Sequence, residues 1–391
     1  MVMLREAYQD LRRMTEDVGP ARTKDFLDNA FRKGHIKTSD FSIREAFEGL
    51  VPEGDKVLRA MERRKQSTGG YTLKEASGAV DTSAFSNITG QFLFTMTREK
   101  FELPEFLWPK LCNQQQTVFL DGERIPGIGG IGDKSEDIME GDEYPMVGVN
   151  EEYVDRGKAR KYGHIVPVSK EIIIADRTGL LMQFCSAGAT WLGLNCEKRV
   201  LALATGVVNN YKRNGTATNT FLTSGAYVNT VSTNALYDWT NVQTARLAQR
   251  ALTDPNTGEY INPGNCDVLI PPALEGTAYR VKTATQVEHV DNTAAATTIR
   301  TFSGNPVSLA GVLNNVYLSQ YVKAATSSDS TWFGGDWKKA ITRFYVWDIT
   351  TEQAPNNSEA EFTRDIQLRF KTSMMDQIQM MEPRYLFKCT A

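Results

Sequence analysis

The sequence predicts a protein of the α+β class, and three observations carry that prediction. A 3.6-residue apolar repeat runs through 177–210, helical and strand patterns alternate over 235–347, and a period-two alternation lies near the C-terminus. With 391 residues, 41% of them hydrophobic, the chain is long enough for two or three packing units. Its 44 basic and 47 acidic residues nearly cancel, to −3, which argues against a protein that grips nucleic acid through a basic face.

Residues 1–72 form a segment of distinct composition. Positions 1–66 hold 14 Lys/Arg and 12 Asp/Glu, and apolar residues such as Leu4, Tyr8 and Leu11 recur at helical spacing. The Gly-containing stretch 66–72 is typical of a linker. We therefore predict a charged helical N-terminal arm without a core of its own.

After a mixed segment, 73–120, whose last four residues Thr117–Leu120 have the pattern of a strand, residues 121–161 have an unusual charge order. Eight acids and no base lie between Ser135 and Asp155, and four bases follow directly. We predict a polar two-stranded loop with few apolar side chains, barely stable alone, that lies on a neighbouring copy. The candidate contact residues are Glu136, Asp137, Glu140, Asp142, Glu143, Glu151, Glu152, Arg156, Lys158, Arg160 and Lys161. A solvated hairpin on a monomer is the alternative. A Ca²⁺ site is disfavoured because the DxDxDG loop is absent.

The motif Gly127–Gly132 formally matches GxGxxG, the dinucleotide-binding fingerprint. That fingerprint requires a helix directly after the glycines, and the acidic segment that follows has no helical periodicity. We interpret the motif as a loop, and an α/β nucleotide-binding enzyme using Gly127–Gly132 stays as an alternative.

Residues 162–234 contain the long helix, 177–210, with Asp176 as its N-cap and a length on the order of 50 Å. Residues 235–347 read as one compact α/β unit, with further mobile loops at 294–298 and 324–330. Its predicted helices and strands are Asp238–Ala251, Cys266–Ile270, Ala273–Lys282, Val307–Val322 and Ala340–Trp347. In 348–391 the even positions are apolar, at Phe362, Ile366, Leu368, Phe370, Met374, Ile378 and Met380, which predicts strands with one buried face.

Local signals for catalysis are weak. The five cysteines have no CxxC spacing and the three histidines belong to no HExxH or HxH motif, so we predict no metal, no cofactor and no enzyme activity. The sequence has no run of about 18 apolar residues, so we predict no membrane span, and the N-terminus lacks the pattern of a secretory signal. We expect synthesis in the cytoplasm.

The order of these parts resembles the major capsid proteins of tailed bacteriophages, which have the HK97-like fold. The resemblance covers about 85–391. It rests on Glu151–Glu171, Asp176–Leu181, Glu197–Leu201, Cys266–Leu274 and Phe362–Ile366, which are similar to that family's loop return strand, long helix, axial strand and helix, and last peripheral strand.

The resemblance implies a role for each part. Residues 121–161 would be the extended loop, 177–210 the spine helix, 235–347 the axial domain, and 73–120, 162–234 and 348–391 the peripheral domain. The chain would self-assemble as hexamers and pentamers into an icosahedral shell of a virion, enclosing double-stranded DNA without sequence-specific binding. Scaffold, portal and decoration proteins are implied partners, and assembly would occur in the host cytoplasm. A cargo-enclosing shell of the same fold, or another phage structural protein such as a tail component, is the alternative.

Overall fold

The computed structural model describes residues 13, 17, 100–101, 103, 105–127, 138–139, 143, 152–169, 180–255, 257–264, 266–293, 297–309, 312–353 and 366–391. Of the predicted arm, only Arg13 and Asp17 are described, both helical and exposed. Among the described residues, no helix combines the length and the apolar character that crossing a membrane requires.

Helices and strands are both well represented, which confirms the α+β class. The helices are α1 (Trp108–Leu111), α2 (Leu180–Ala204), α3 (Trp239–Arg250), α4 (Glu275–Thr283), α5 (Pro306–Leu309), α6 (Gln320–Thr326) and α7 (Trp337–Ala340). Short 3₁₀ turns span Pro272–Leu274 and Pro383–Tyr385. The Asp238 side chain caps α3 by accepting from the Trp239 N–H at 2.6 Å, and Asn241 completes the capping box.

The strands form four sheets. They are β1 (Asn113–Gln116), β2 (Arg124–Pro126), β3 (Tyr153–Asp155), β4 (Arg160–Ser169), β5 (Lys212–Arg213), β6 (Thr216–Ala217), β7 (Thr230–Val231), β8 (Asp267–Ile270), β9 (Gln286–Thr293), β10 (Thr297–Gly304), β11 (Val316–Leu318), β12 (Trp332–Gly335), β13 (Ile341–Gln353), β14 (Ile366–Met380) and β15 (Leu386–Cys389). The strand orders are β1-β13-β14-β4, β2-β3-β5-β6, β11-β8-β12-β15-β7 and the two-stranded β10-β9.

The contacts within the chain define two compact units. Unit 1 contains Met1–Phe106, Lys161–Asn195 and Trp347–Met375, and unit 2 contains Leu107–Arg160, Cys196–Val346 and Asp376–Ala391. In unit 1, β4 lies against both β14 and α2. A Cβ at Gly163 would lie 2.6 Å from the Thr372 carbonyl oxygen, and one at Gly188 would lie 2.2 Å from His164 Nε2. These two positions therefore require glycine for close packing.

The core of unit 2 lies between the five-stranded sheet and helices α3 and α4. Its members include Val242, Val268, Val281, Trp332 and Phe387, all fully or nearly fully buried. The Trp332 and Phe387 rings meet edge to face at 5.4 Å, and Trp332 Nε1 donates to the Asn234 carbonyl oxygen at 2.8 Å. The single polar atom of that large side chain is thus satisfied within the core.

A second part of unit 2 is held by buried charges. Asp376 on β14 is fully buried and receives bonds from Arg343 Nε at 2.8 Å and Arg199 Nη1 at 2.7 Å. The Arg343 guanidinium, also fully buried, lies 5.0 Å from the Trp108 ring centre. Nearby in sequence, Glu197 Oε2 accepts from the Leu107 and Trp108 N–H groups at 3.0 and 2.7 Å. Side chains of α2, β13 and β14 thereby fix the start of α1.

Several elements differ from the sequence predictions. Helix α2 ends at Ala204 and not at 210, because Gly206 adopts a positive φ of 72° and the Val207 N–H bonds back to the Ala202 carbonyl oxygen. The described 25 residues of α2 correspond to about 37 Å. Thr117–Leu120 is not a strand; the preceding polar segment β1 pairs instead, in parallel with β13.

Two further sequence predictions, for 307–330 and for 348–391, also differ from the structure. Val307–Val322 is not one strand but contains α5, β11 and the start of α6, and the predicted loop 324–330 begins inside α6. In 348–391, β15 does not join β14 in the predicted peripheral strands but belongs to the five-stranded sheet, between β12 and β7. Pro383 explains the change, because the 3₁₀ turn Pro383–Tyr385 redirects the chain after β14.

Candidate assembly interface

The two ends of the predicted extended loop pair with each other within unit 2, and we define this paired segment, residues 121–127 and 152–158, as the loop base. Strands β2 and β3 pair in antiparallel register there, with Arg124 opposite Asp155, Ile125 opposite Val154 and Pro126 opposite Tyr153. The Gly127 N–H donates to the Glu152 carbonyl oxygen at 3.0 Å and extends the pairing toward the loop. Residues 128–151, apart from 138, 139 and 143, lie outside the described residues.

Opposite charges face each other along this base. Arg124 Nε lies 3.8 Å from Asp155 Oδ1. The same register, continued away from the loop, brings Arg156 Nη2 to 3.8 Å from Glu123 Oε2 and Lys158 Nζ to 3.1 Å from Asp121 Oδ1. Cross-strand pairs of opposite charge favour one register over its alternatives. The charges therefore specify how the two strands of the base align.

Arg156 differs from the other charged residues of the base because its side chain is completely buried. Its Nη2 donates to the carbonyl oxygens of Phe119 at 2.8 Å and Asp121 at 3.1 Å, and its guanidinium lies 5.3 Å from the Phe344 ring centre. Charge-assisted bonds of this kind are stronger than neutral ones. Arg156 thus joins the return strand of the loop to the outgoing segment and to β13.

The base is also attached to the turn that follows α2. Val154 of β3 pairs with Arg213 of β5, and Arg213 forms an ion pair with the buried Glu152. The Asn214 N–H donates to the Tyr153 carbonyl oxygen, and the Tyr153 N–H donates to Asn214 Oδ1, both at 3.0 Å. Strands β5 and β6 therefore make the base the edge pair of a four-stranded sheet.

Three consecutive apolar side chains project to solvent beside the base. Val118 is 85% exposed, and Phe119 and Leu120 are also exposed. Their backbone is fixed, because the Thr117 N–H donates to the Tyr345 carbonyl oxygen at 2.9 Å and the Ala159 N–H donates to the Leu120 carbonyl oxygen at 3.1 Å. A fixed, exposed apolar run of this kind is typical of a surface that another molecule covers.

The predicted contact residues fall into three groups. Glu136, Asp137, Glu140, Asp142 and Glu151 lie outside the described residues. Glu152, Arg156 and Lys158 come together in the base, where their partners are Arg213, Glu123 and Asp121. Glu143, Arg160 and Lys161 are exposed, and Lys161 Nζ lies 5.7 Å from the Trp347 ring centre within unit 1.

The sequence prediction missed Asp121, Glu123, Arg124 and Arg213. A signal for the first three exists: charges at 121, 123 and 124 meet opposite charges at 158, 156 and 155 in one antiparallel register. The glycines Gly122 and Gly157 lie opposite each other in that register, and a Cβ at Gly122 would come within 2.7 Å of the Arg156 carbonyl oxygen. Arg213 had no comparable signal, because its pairing depends on where α2 ends.

The surroundings of Gly127 disfavour nucleotide binding. Its strand, β2, has three residues and pairs antiparallel with β3, whereas the dinucleotide fingerprint begins after a strand of a parallel sheet. The Gly127 N–H, which would face a phosphate, donates instead to Glu152. Glycines 129, 130 and 132 lie outside the described residues.

The described thiols are poor nucleophiles. Cys112, Cys196, Cys266 and Cys389 are buried and unpaired with one another, and burial raises the pKa of the Cys112 and Cys389 thiols to about 12 and of Cys266 to about 11. Within the described part of the chain, no group of His, Cys, Asp and Glu side chains could hold a metal ion.

Comparison with known proteins defines the class of the chain. A family model described as "Phage capsid protein" matches residues 153–389, more than half of the sequence, and the chain therefore belongs to the phage capsid protein family. This match confirms the resemblance to phage capsid proteins that the sequence analysis found. The protein is a shell subunit that assembles with its own copies and is a component of the virion. No curated protein sequence matches the chain.

Solved structures with similarity to the chain come from several sources. The capsid of Cyanophage P-SCSP1u is 13% identical with a TM-score of 0.45, over 73% of this chain and 88% of that one. The virus-like particle from Pyrococcus furiosus is 10% identical with a TM-score of 0.43, over 77% and 99%. The structure from Gordonia phage Cozz is 14% identical with a TM-score of 0.41, over 83% and 99%.

Proposed function

We propose that this chain is the major head protein of a tailed phage, assembling as hexamers and pentamers into an icosahedral shell around double-stranded DNA. In that shell, the loop 121–161 of each copy lies over an adjacent copy. The observation that carries the proposal is the built base of the loop in a chain whose family forms capsids. A base with a buried arginine and three cross-strand charge pairs supports a segment that extends from the body.

The charge of the loop supports a contact with another copy. Between Ser135 and Glu151 the sequence has six acids and no base, whereas Glu152 and Asp155 at the base of the loop are paired with Arg213 and Arg124. Of its described residues, Met139 and Glu143 are exposed. An acidic segment with exposed apolar side chains gains most from a neighbour that supplies both cations and apolar surface.

The overall charge also suits a DNA container. A shell of strongly basic subunits would bind the packed phosphate backbone and hinder release of the DNA. With a formal charge of −3, the chain can enclose DNA without sequence-specific binding. Scaffold, portal and decoration proteins would complete the particle, and assembly would take place in the host cytoplasm.

A structural role without catalysis is part of the same proposal. The buried thiols with raised pKa values and the use of the Gly127 N–H inside the loop base both support it. They also weigh against the nucleotide-binding alternative, which required a free glycine loop after a parallel strand.

Electron microscopy of the purified protein tests the proposal. We expect closed polyhedral particles with five- and six-fold capsomers, and DNA in particles isolated from infected cells. Tubes or rings alone would overturn the head assignment in favour of a tail component. Particles that hold protein and no nucleic acid would support the cargo-shell alternative instead.

A pair of loop variants tests the role of the loop. Deletion of 130–150 should leave a folded subunit and abolish particles. A second variant keeps the length of the loop and loses only its negative charge, so that the effect of loop length is distinguished from the effect of loop charge. Its replaced residues, each changed to Gln or Asn, are Glu136, Asp137, Glu140, Asp142 and Glu143. Normal shells from the deletion variant would contradict the inter-subunit role of the loop.

A further inference from the structure

The hairpin formed by β9 and β10 forms a sheet of only two strands. Gln286 pairs with Gly304 and Thr293 with Thr297, and within the described residues no third strand joins this pair. Eight residues per strand correspond to about 26 Å. An isolated two-stranded hairpin is marginally stable in water, so one of this length needs support from another surface.

One face of this hairpin carries an apolar side chain beside an acid. Phe302 on β10 is 71% exposed, and it lies directly opposite Glu288 on β9, which is also exposed. Directly opposite residues of an antiparallel pair point to the same face, with Cβ atoms about 5 Å apart. The hairpin thus presents a phenyl ring and a carboxylate side by side.

Unit 2 also contains a pocket with complementary chemistry, which we call the α3 pocket. Its volume is about 440 Å³, and its apolar lining comes from Trp239, Leu247, Pro306, Val307 and Val312. Its polar lining residues are Gln243, Arg246 and Arg250, with no acid among the residues that line it. Arg246 and Arg250 are one helical turn apart on α3, so the pocket combines an apolar wall with a basic edge.

We propose that Phe302 of one copy inserts into the α3 pocket of the adjacent copy in the same capsomer, with Glu288 facing Arg246 and Arg250. This inference rests on the proposed function, since it requires capsomer rings. Phe302 does not fill the pocket of its own copy, because its side chain is largely exposed in the single chain. The occupant is therefore a second copy, chosen by apolar fit and charge complementarity.

The arrangement also has the symmetry that a ring needs. The hairpin and the α3 pocket are different surfaces of one chain, so one copy can use each of them toward a different neighbour, and such heterologous contacts close into rings when the rotation permits. Pro306 and Val307 of the pocket follow the hairpin directly in sequence. Each copy can therefore donate its hairpin to one neighbour while it receives the hairpin of the other.

Disulfide trapping in assembled particles tests this contact. The pair Glu288→Cys and Arg250→Cys keeps Phe302 and the apolar pocket and removes one charge of each sign. Oxidised particles should give covalent species up to the pentamer and hexamer and none larger, because the links close within each ring. The unsubstituted chain is the control for background, which should be low for the four described cysteines because all are buried.

A second pair provides a matched control. Tyr260→Cys with Arg250→Cys joins the same pocket position to another exposed side chain outside the hairpin, and it should give no closed rings. Particles that form normally but give no linked rings from the Glu288/Arg250 pair would overturn this inference and leave the proposed function intact. Failure of the unsubstituted chain to form any capsomer would instead count against the proposed function.

Charge exchange gives an independent readout. Glu288→Arg or Arg250→Glu alone should lower the yield of capsomers at least tenfold, and the double variant should restore most of it. Urea unfolding of each free subunit checks that the variants fold. Single variants that fold and assemble at the normal yield would contradict the contact, as would a double variant no better than either single one.

Discussion

Two antiparallel strand pairs of the chain, β2–β3 and β9–β10, are supported in different ways. At the loop base, the short pair β2 and β3 is continued by β5 and β6 into a four-stranded sheet, and the buried Arg156 bonds the carbonyl oxygens of Phe119 and Asp121. The hairpin of β9 and β10 has much longer strands but forms a sheet of two strands only. Strand length is thus no measure of how firmly a projecting element is held.

The difference separates two designs for a contact between copies. The loop base is held by bonds within its own chain, through β5 and the buried Arg156. In the proposed contact, the β9–β10 hairpin would gain its support from the adjacent copy, so its ordering and its binding would be coupled. Substitutions at the first should lower subunit stability, whereas substitutions at the second should lower assembly.

The largest loss of subunit stability is expected at the buried charge cluster of unit 2, which is formed by Asp376, Arg343 and Arg199. Asp376→Ala removes the carboxylate that both Arg343 and Arg199 bond, and we expect a loss of about 3–5 kcal/mol in the free energy of unfolding. Urea unfolding of the free subunit measures it. The control Asp329→Ala breaks the exposed pair with Lys323 and should cost at most about 1 kcal/mol. A similar effect of both variants would refute the structural importance of the cluster.

At the loop base, Arg156→Met should cost about 2–4 kcal/mol, because the carbonyl oxygens of Phe119 and Asp121 lose a charged donor. The matched control is Lys158→Gln, which breaks the exposed pair with Asp121 two residues away and should cost at most about 1 kcal/mol. Chemical denaturation compares the two. The firm attachment of the base would be disproved if Arg156→Met unfolded at the same denaturant concentration as Lys158→Gln.

A pH series of unfolding measurements tests the contribution of Glu197, the buried carboxylate that holds the start of α1. Burial raises the pKa of Glu197 above its ordinary value near 4.5, against the opposing effect of its bonds from the Trp108 and Leu107 N–H groups. The folded state therefore binds this proton more tightly than the unfolded state, and the contribution of Glu197 to stability falls as pH rises through its folded pKa. Glu197→Gln should gain stability relative to the unsubstituted chain over that window. If the difference in the free energy of unfolding between the two proteins is the same at pH 4 and at pH 7, the raised pKa is contradicted.

The smallest effect on subunit stability is expected at the β9–β10 hairpin. Replacement of 288–302 by a two-residue Asn-Gly turn should change the free energy of unfolding by no more than about 1 kcal/mol, since a lone hairpin contributes little in water. The same variant should fail to form capsomers. A large loss of stability would show that the hairpin is supported within its own chain and would remove the contrast with the loop base.

Period-two patterning predicted the apolar face of β14, although Ser373 and Gln379 on the opposite face are buried as well. Phe370, Met374, Ile378 and Met380 are buried as expected. The same parity places Asp376 on the buried face, and the sequence prediction passed over it because an acid does not read as a core residue. Its counter-charges come from β13 and α2, which lie far away in sequence, so only the fold reveals why it is tolerated there.

Pairing through the backbone is harder to predict from sequence. Strand β1 consists of Asn113–Gln116 and is exposed throughout, so it has no apolar alternation that would identify it. The apolar run after it was predicted as a strand and proved to be exposed and irregular. At the candidate interface, three of the predicted charged residues, Glu152, Arg156 and Lys158, lie in the loop base, but their partners depended on a register that composition alone does not specify.

The position of β15 has a consequence for biosynthesis. Residues 386–389 supply the fourth of five strands in the sheet of unit 2, with Phe387 and Cys389 in its core. A ribosome must therefore translate past these codons before the sheet can close. A polypeptide interrupted earlier lacks an internal strand and cannot compete with finished subunits for a place in the growing particle.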